Sequence, residues 1–289
     1  MVLNENPSVA YRLNSLYHDD MNKNIVVKSN EIVEANYTLT LAEQRILLMC
    51  ISCIDSRKKL SKGDDFVVSA EDYAKLYDVN LKNAYRDIKS AADKLYERSV
   101  YIFKKTSRSK NDYKKTRWIS GIEYVESEGR IQLSFAPKIL PYLSKLESCY
   151  TQYNIDEIAQ MQSSHTVRVY EMMMQWKSRG WFDISLVDLK KRLNLGDDYP
   201  RIYDLKKRVI IHAVNEINKT SKYKLSWSQK KVGRNVSHFT FNFKLKNPST
   251  SKKNLAPKPK ILSDRIDEFV RKNPGKTKGK TREQVIRML

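Results

Sequence analysis

Three cysteines in 289 residues are too few to staple a fold, and a chain without a disulfide framework is read as belonging to a reducing cytoplasm. The four histidines, His18, His165, His212 and His238, lie far apart. That removes the clustered ligands a rolling-circle endonuclease needs for its metal. No apolar run reaches the length of a bilayer crossing, and Met1 to Asn30 lacks the cationic-then-apolar order of a signal peptide. Acids are scarce too: 33 Asp plus Glu face 54 Lys plus Arg, a formal charge of +21. Such an excess on a compact body favours a polyanionic partner. Composition alone leaves a basic ribosome- or membrane-associated protein open.

What is present is enough hydrophobic residue, 40%, to build cores, and enough length for two ordinary domains. The charge is placed rather than smeared. Residues 1–56 hold Arg12, Lys23, Lys28 and Arg45 against seven acids, whereas residues 201–246 hold twelve Lys or Arg against Asp204 and Glu216 alone.

A repeat organises the chain. Thr40-Leu-Ala-Glu43 has the form of a capping box and opens a helix predicted to run to about Ser56. Phe66-Val-Val68 reads as a strand and Ser69-Ala-Glu-Asp72 as the cap of a second helix. A third follows from about Leu81 to Arg98, then a strand from Ser99 to Phe103 and a hairpin of Trp118–Val125 with Arg130–Phe135. The second half repeats this order: a helix from about Ser164 to Lys177, a strand Phe182-Asp-Ile184, a cap Ser185-Leu-Val-Asp188, a long helix from about Pro200 to Lys219, and a hairpin turning at Lys231-Val-Gly-Arg-Asn235. Phe66, Val68, Ser69 and Asp72 fall on Phe182, Ile184, Ser185 and Asp188. Ile88, Ala91, Ala92 and Leu95 fall on Ile210, Ala213, Val214 and Ile217. The expected architecture is α+β, two tandem winged-helix domains: an N-terminal arm over 1–35, a first domain over 36–146, a second over 147–247, and a basic flexible tail over 248–289, with a short helix around Asp264 to Arg271.

The Pro200 helix carries the strongest signal. Ile202, Leu205 and Val209 form its buried stripe, Val209 to Val214 is apolar nearly all round except His212, and polar residues project from its start. That is the build of a recognition helix entering a major groove, and Arg and Lys suit guanine edges and phosphates because they only donate. Candidate DNA contacts are therefore Arg201, Tyr203, Asp204, Lys206, Lys207 and Arg208 on the helix, with Lys230, Lys231, Arg234 and Asn235 on the hairpin tip. The first-domain equivalents are Lys82, Asn83, Arg86 and Lys89 on its third helix, and Lys114, Lys115 and Arg117 before its hairpin. Weaker or phosphate-directed binding is expected there.

Signs of catalysis are few, and no enzyme, cofactor or metal is expected. His165-Thr-Val-Arg168 matches a fragment of tyrosine recombinases but lacks the rest of that site. Gly275-Lys-Thr277 and Gly279-Lys-Thr281 resemble the end of a P-loop, yet Val270 and Pro274 stand where the earlier glycine belongs. Cys50-Ile-Ser-Cys53 sits in an apolar helix without a second pair, which reads as buried thiols rather than zinc.

Tyr37-Thr-Leu-Thr-Leu-Ala-Glu-Gln-Arg45 resembles the opening of the first winged helix in the iteron-binding plasmid replication initiators. Arg168-Val-Tyr-Glu171, and Tyr203-Asp-Leu-Lys-Lys-Arg-Val209 with Ala213-Val-Asn-Glu-Ile-Asn218, are similar to that family's second-domain motifs. The resemblance covers about residues 25–245. It implies double-stranded DNA as partner (origin repeats bound by monomers, an operator repressed by dimers) and recruitment of a host replication initiator and helicase, without a membrane partner. Some members show a zipper-like first helix; here Leu41 and Leu48 are followed by Asp55, so these leucines are read as core. A winged-helix transcriptional regulator uses the same chemistry and stays open as the alternative.

Overall fold

The computed structural model describes the backbone of residues 10–12 and all of residues 24–103 and 112–246. The tail expected over 248–289 lies outside the described residues. In chain order the elements are β1 (Ala10–Arg12), β2 (Ile25–Ser29), α1 (Asn30–Val33), α2 (Leu41–Ser52), β3 (Asp65–Ser69), α3 (Ala70–Tyr77), α4 (Leu81–Glu97), β4 (Ser99–Phe103), β5 (Tyr113–Arg117), β6 (Ile119–Val125) and β7 (Arg130–Phe135). The second half adds β8 (Tyr150–Asn154), α5 (Asp156–Ala159), α6 (Ser164–Gln175), β9 (Trp181–Ser185), α7 (Leu186–Arg192), α8 (Ile202–Leu205), a π-helical stretch Lys206–Ile211, α9 (His212–Thr220), β10 (Tyr223–Val232) and β11 (Asn235–Leu245).

Local chemistry sets the repeat. Ser69 and Ser185 sit in the extended region and cap α3 and α7; each hydroxyl accepts from the backbone N–H three residues on, Asp72 or Asp188, at 3.0 Å. Each hydroxyl also donates to the carboxylate of that aspartate at 2.7 Å. The strand before each cap pairs antiparallel with the last strand of its own hairpin, Phe66 opposite Leu133 and Phe182 opposite Phe241. All eight apolar positions matched between the two long helices are buried. A shared cap, a shared strand order and a shared apolar face make two tandem winged-helix units.

Thr40 and Glu43 form the expected capping box at the start of α2. Glu43 also bridges to another helix: its carboxylate accepts two 3.0 Å bonds from Arg98 at the end of α4, which ties α2 to α4. Leu48 is buried and Leu41 packs against the core.

One expectation changes. Residues 24–35, placed in an N-terminal arm, are a strand and a helix inside the core, with Val26, Ile32 and Val33 fully buried. β2 pairs antiparallel with β8, Ile25 opposite Asn154 and Ser29 opposite Tyr150, so strands from either side of the 146/147 boundary are hydrogen-bonded to each other. The reason lies in the charge beneath the clasp. Lys28 is buried and paired with the Glu171 carboxylate, which also accepts from the Tyr153 hydroxyl at 2.7 Å and from Arg168 at 3.2 Å. Arg168 in turn donates to the carbonyls of Val33, Ala35 and Arg192 at 3.0, 2.9 and 3.1 Å. A charge stays buried only when paired and hydrogen-bonded, and here α1, α6, α7, β2 and β8 all contribute. The histidine-arginine fragment is thus a joint of the fold.

Candidate nucleic-acid interface

From Ile202 to Thr220 the helix is continuous, with its middle in the wider i→i+5 pattern. Leu205, Val209, Ile210, Ala213, Val214 and Ile217 anchor it. Arg201, Lys207 and Arg208 project into solvent, and Tyr203 is 63% exposed. Asp204 and Lys206 are half-buried, and the Lys206 ammonium donates to Gln229 at 3.4 Å. Arg201 and Arg208 have no carboxylate partner among the described residues.

Three details correct the expected helix. It begins at Ile202, after Pro200, and Ile202 is half-buried rather than a full member of the core stripe. The stretch Val209 to Val214 is not apolar-packed all round either. Ile211 is 39% exposed and His212 faces solvent, 3.9 Å from Glu216. Each π turn takes an additional residue, so this register carries the outward face on through Ile211 and His212.

The hairpin β10–β11 is held against this helix by Asn218. Its amide donates to the Leu225 carbonyl at 2.8 Å and accepts from the Leu225 N–H at 2.6 Å. At the tip Gly233 takes φ +61, a conformation that glycine adopts without strain. Lys231, Arg234 and Asn235 are exposed there. Lys230 is less free: its ammonium lies 3.0 Å from Asp183, whose carboxyl the Thr240 hydroxyl and Lys230 hold below the usual range. Charge reasoning passes over Val232, an apolar side chain 74% exposed at the tip.

The first unit is built alike and charged differently. Lys82 and Asn83 are exposed on the first turn of α4, beyond the Asn80 cap. Arg86 lies 3.4 Å from Asp87, and Lys89 lies 2.6 Å from Glu126. Glu126 and Glu128 make the tip of this hairpin acidic where the second is basic. Contact with each other lifts Lys89 and lowers Glu126.

Lys114, Lys115 and Arg117, expected to join that surface, are instead strand residues of β5, which pairs with β4 in a two-stranded ribbon of its own. Arg117 bonds to the Glu97 carboxylate and the Tyr96 carbonyl at the last turn of α4, both at 3.0 Å. Lys82 sits at the first turn, about 22 Å away along the helix axis at 1.5 Å per residue. Lys114 donates to the Tyr142 hydroxyl at 3.0 Å. The ribbon and the α4 start are separate surfaces.

Cys50 is buried and Cys53 half-buried. Burial pushes the Cys50 thiol well up and the Cys53 thiol up to about 12, the opposite of a thiolate ready for metal or substrate. What the surface offers is donors: guanidinium and ammonium groups on a helix start and a hairpin tip locked to it.

A family model described as Initiator Replication protein, WH1, matches residues 25–174, and one described as Initiator Rep protein, WH2, matches residues 185–243. The chain is 25% identical over 212 residues to a replication initiation protein of Escherichia coli, covering 71% of this chain and 65% of that one. It is 26% identical over 259 residues to the PI protein of Escherichia coli, covering 78% and 84%. Its backbone is similar to the crystal structure of a Pi initiator protein in complex with iteron DNA, with a TM-score of 0.66 and 24% identity over 78% of this chain and 98% of that one.

Proposed function

The chain belongs to the initiator replication protein family, and on that premise we propose that it starts replication by binding repeated duplex sites, iterons, at an origin. The carrying observation is the contrast in paired charge. Arg201, Lys207, Arg208, Lys231 and Arg234 stand exposed and without carboxylate partners among the described residues, on a helix start and a hairpin tip that Asn218 holds together. In this reading the turns from Arg201 to Arg208, with Tyr203, Asp204 and Lys206, enter the major groove. Lys230, Lys231, Arg234 and Asn235 lie along the flanking backbone or minor groove. The start of α4, with Lys82, Asn83, Arg86 and Lys89, adds contacts to phosphate on the neighbouring groove. The division at residues 146/147 between the two reading units belongs to the same proposal, as do dimer-mediated repression of its own gene and recruitment of a host initiator and helicase.

Successive grooves on one face of a duplex lie about 34–36 Å apart, so a monomer is expected to protect roughly two turns. Footprinting of monomer and dimer on direct and inverted repeats tests this. A one-turn footprint would leave DNA to the second unit alone. Autonomous replication of a circle carrying the gene and adjacent direct repeats tests the initiator reading itself. Repression without replication would make the chain a regulator.

A further inference from the structure

The ribbon β4–β5 faces outward with a composition neither winged helix needs. Its inner residues, Val100 and Ile102, are buried and fasten it to the body. The strand alternation then turns Tyr101, Phe103, Tyr113, Lys115 and Arg117 to the opposite face, with Tyr101 opposite Lys115 and Phe103 opposite Tyr113. Tyr113 is 52% exposed. Its ring centroid lies 5.4 Å from that of Tyr101 and 6.1 Å from that of Phe103. Cations are interleaved with the rings: the Lys115 ammonium is 5.3 Å from the Tyr101 ring, and the Lys191 ammonium, arriving from α7, is 3.3 Å from Phe103. Arg117 is occupied by Glu97.

We propose that this ribbon binds single-stranded DNA, stacking unpaired bases on Tyr101, Phe103 and Tyr113 while Lys115 and Lys191 hold the phosphates. The proposal rests on the replication reading above, which supplies an opened origin strand beside the bound repeats. The chemistry selects single strands for a physical reason. In a duplex the base faces are covered by their neighbours, so rings find nothing to stack on; in an unpaired strand every base offers a face. The ribbon is also at the far end of α4 from Lys82, clear of the turn proposed for duplex phosphate. Polyanion binding by charge alone would need no aromatic at these positions, and core packing would not leave Tyr113 half in water.

The test uses the full chain and two probes in parallel, an oligothymidine of about 20 nucleotides and the direct-repeat duplex. Tyr113→Ala and Phe103→Ala are each expected to weaken oligothymidine binding roughly tenfold. Tyr113→Phe is expected to bind like the parent because it keeps the ring, and duplex affinity is expected to be unchanged throughout. Photo-crosslinking of an iodouracil-substituted strand to the unmodified protein should label Tyr101, Phe103 or Tyr113, a readout independent of any variant's folding. Crosslinks on the Ile202–Thr220 helix, equal competition by heparin, or a parallel loss on both probes would overturn the proposal. So would a change in self-association of the variants, which would assign the ribbon to a second copy of the chain. Failure of the unmodified protein to prefer the duplex repeats would count against the iteron reading alone, since the crosslinks report the ribbon separately.

Discussion

The Arg168 guanidinium lies over the Tyr37 ring, 4.0 Å from its centroid, and donates to its hydroxyl, joining two residues 131 positions apart. The same group holds the carbonyls of Val33, Ala35 and Arg192. Arg168→Ala leaves those acceptors and Glu171 short of a donor in a buried site. It is expected to cost about 3–5 kcal/mol of unfolding free energy by chemical denaturation. Arg168→Lys is not expected to restore it, because an ammonium cannot reach the several acceptors that a planar fork serves. A loss within the range of a surface substitution would show that the joint is not structural.

Glu171 predicts an acid dependence. Burial alone would raise its carboxyl, but the Lys28 ammonium and the Arg168 guanidinium overcome that and hold it below the ordinary value. A carboxyl depressed in the folded state contributes stability that is complete above the unfolded pKa, near 4.5, and lost as pH falls through the folded one. Unfolding free energy measured from about pH 6 down to pH 3 should therefore fall more steeply in the parent than in Glu171→Gln. Parallel slopes would mean that the carboxylate is not held by its two cations.

Arg208 is the sharpest test of sequence reading. If it meets a base edge, Arg208→Ala costs roughly 1–3 kcal/mol on the specific repeat and much less on random duplex. Equal losses on both would make it a phosphate contact.

The acidic hairpin tip of the first unit yields a salt prediction. Glu126 engages Lys89 at 2.6 Å, so Glu126→Gln frees one cation. The slope of log binding constant against log salt is expected to steepen by up to about 0.9, the value for one more neutralised phosphate. An unchanged slope in filter binding would place Lys89 away from DNA.

Features set by neighbouring residues were legible in the sequence. Ser69 with Asp72 and Ser185 with Asp188 announce their helices because a cap needs only three residues of chain. The matched apolar positions announce the duplication because each must face its own core. Lys28 gave no such sign: a lysine in a strand reads as a surface residue, and its partner Glu171 is far along the chain. The ribbon was missed because Tyr113 to Arg117 is polar enough to pass for a loop, and its pairing with Ser99–Phe103 became visible only with the backbone register. The π stretch has no local signature, since the apolar spacing from Leu205 to Ile217 also fits an α-helix. At the interface, the second-unit cations Arg201, Lys207, Arg208, Lys231 and Arg234 stand exposed, while Lys230 is engaged by Asp183. In the first unit Arg86 pairs with its neighbour Asp87, and the fold brings Glu126 to Lys89 and Glu97 to Arg117, partners that spacing along the chain does not announce.

The pairing of Ile25–Ser29 with Tyr150–Asn154 also sets an order in time. A ribosome working at roughly 5–20 residues per second makes Ser29 about 6–24 s before Tyr150. Throughout that interval β2 has no partner strand, and Val26, Ile32 and Val33, all at 0% exposure in the finished protein, face water. The first unit, matched over residues 25–174, is therefore completed only after its own hairpin Ile119–Phe135 has been made and passed. Until then the unpaired strand and its apolar neighbours are an exposed edge of the kind that pairs wrongly or aggregates.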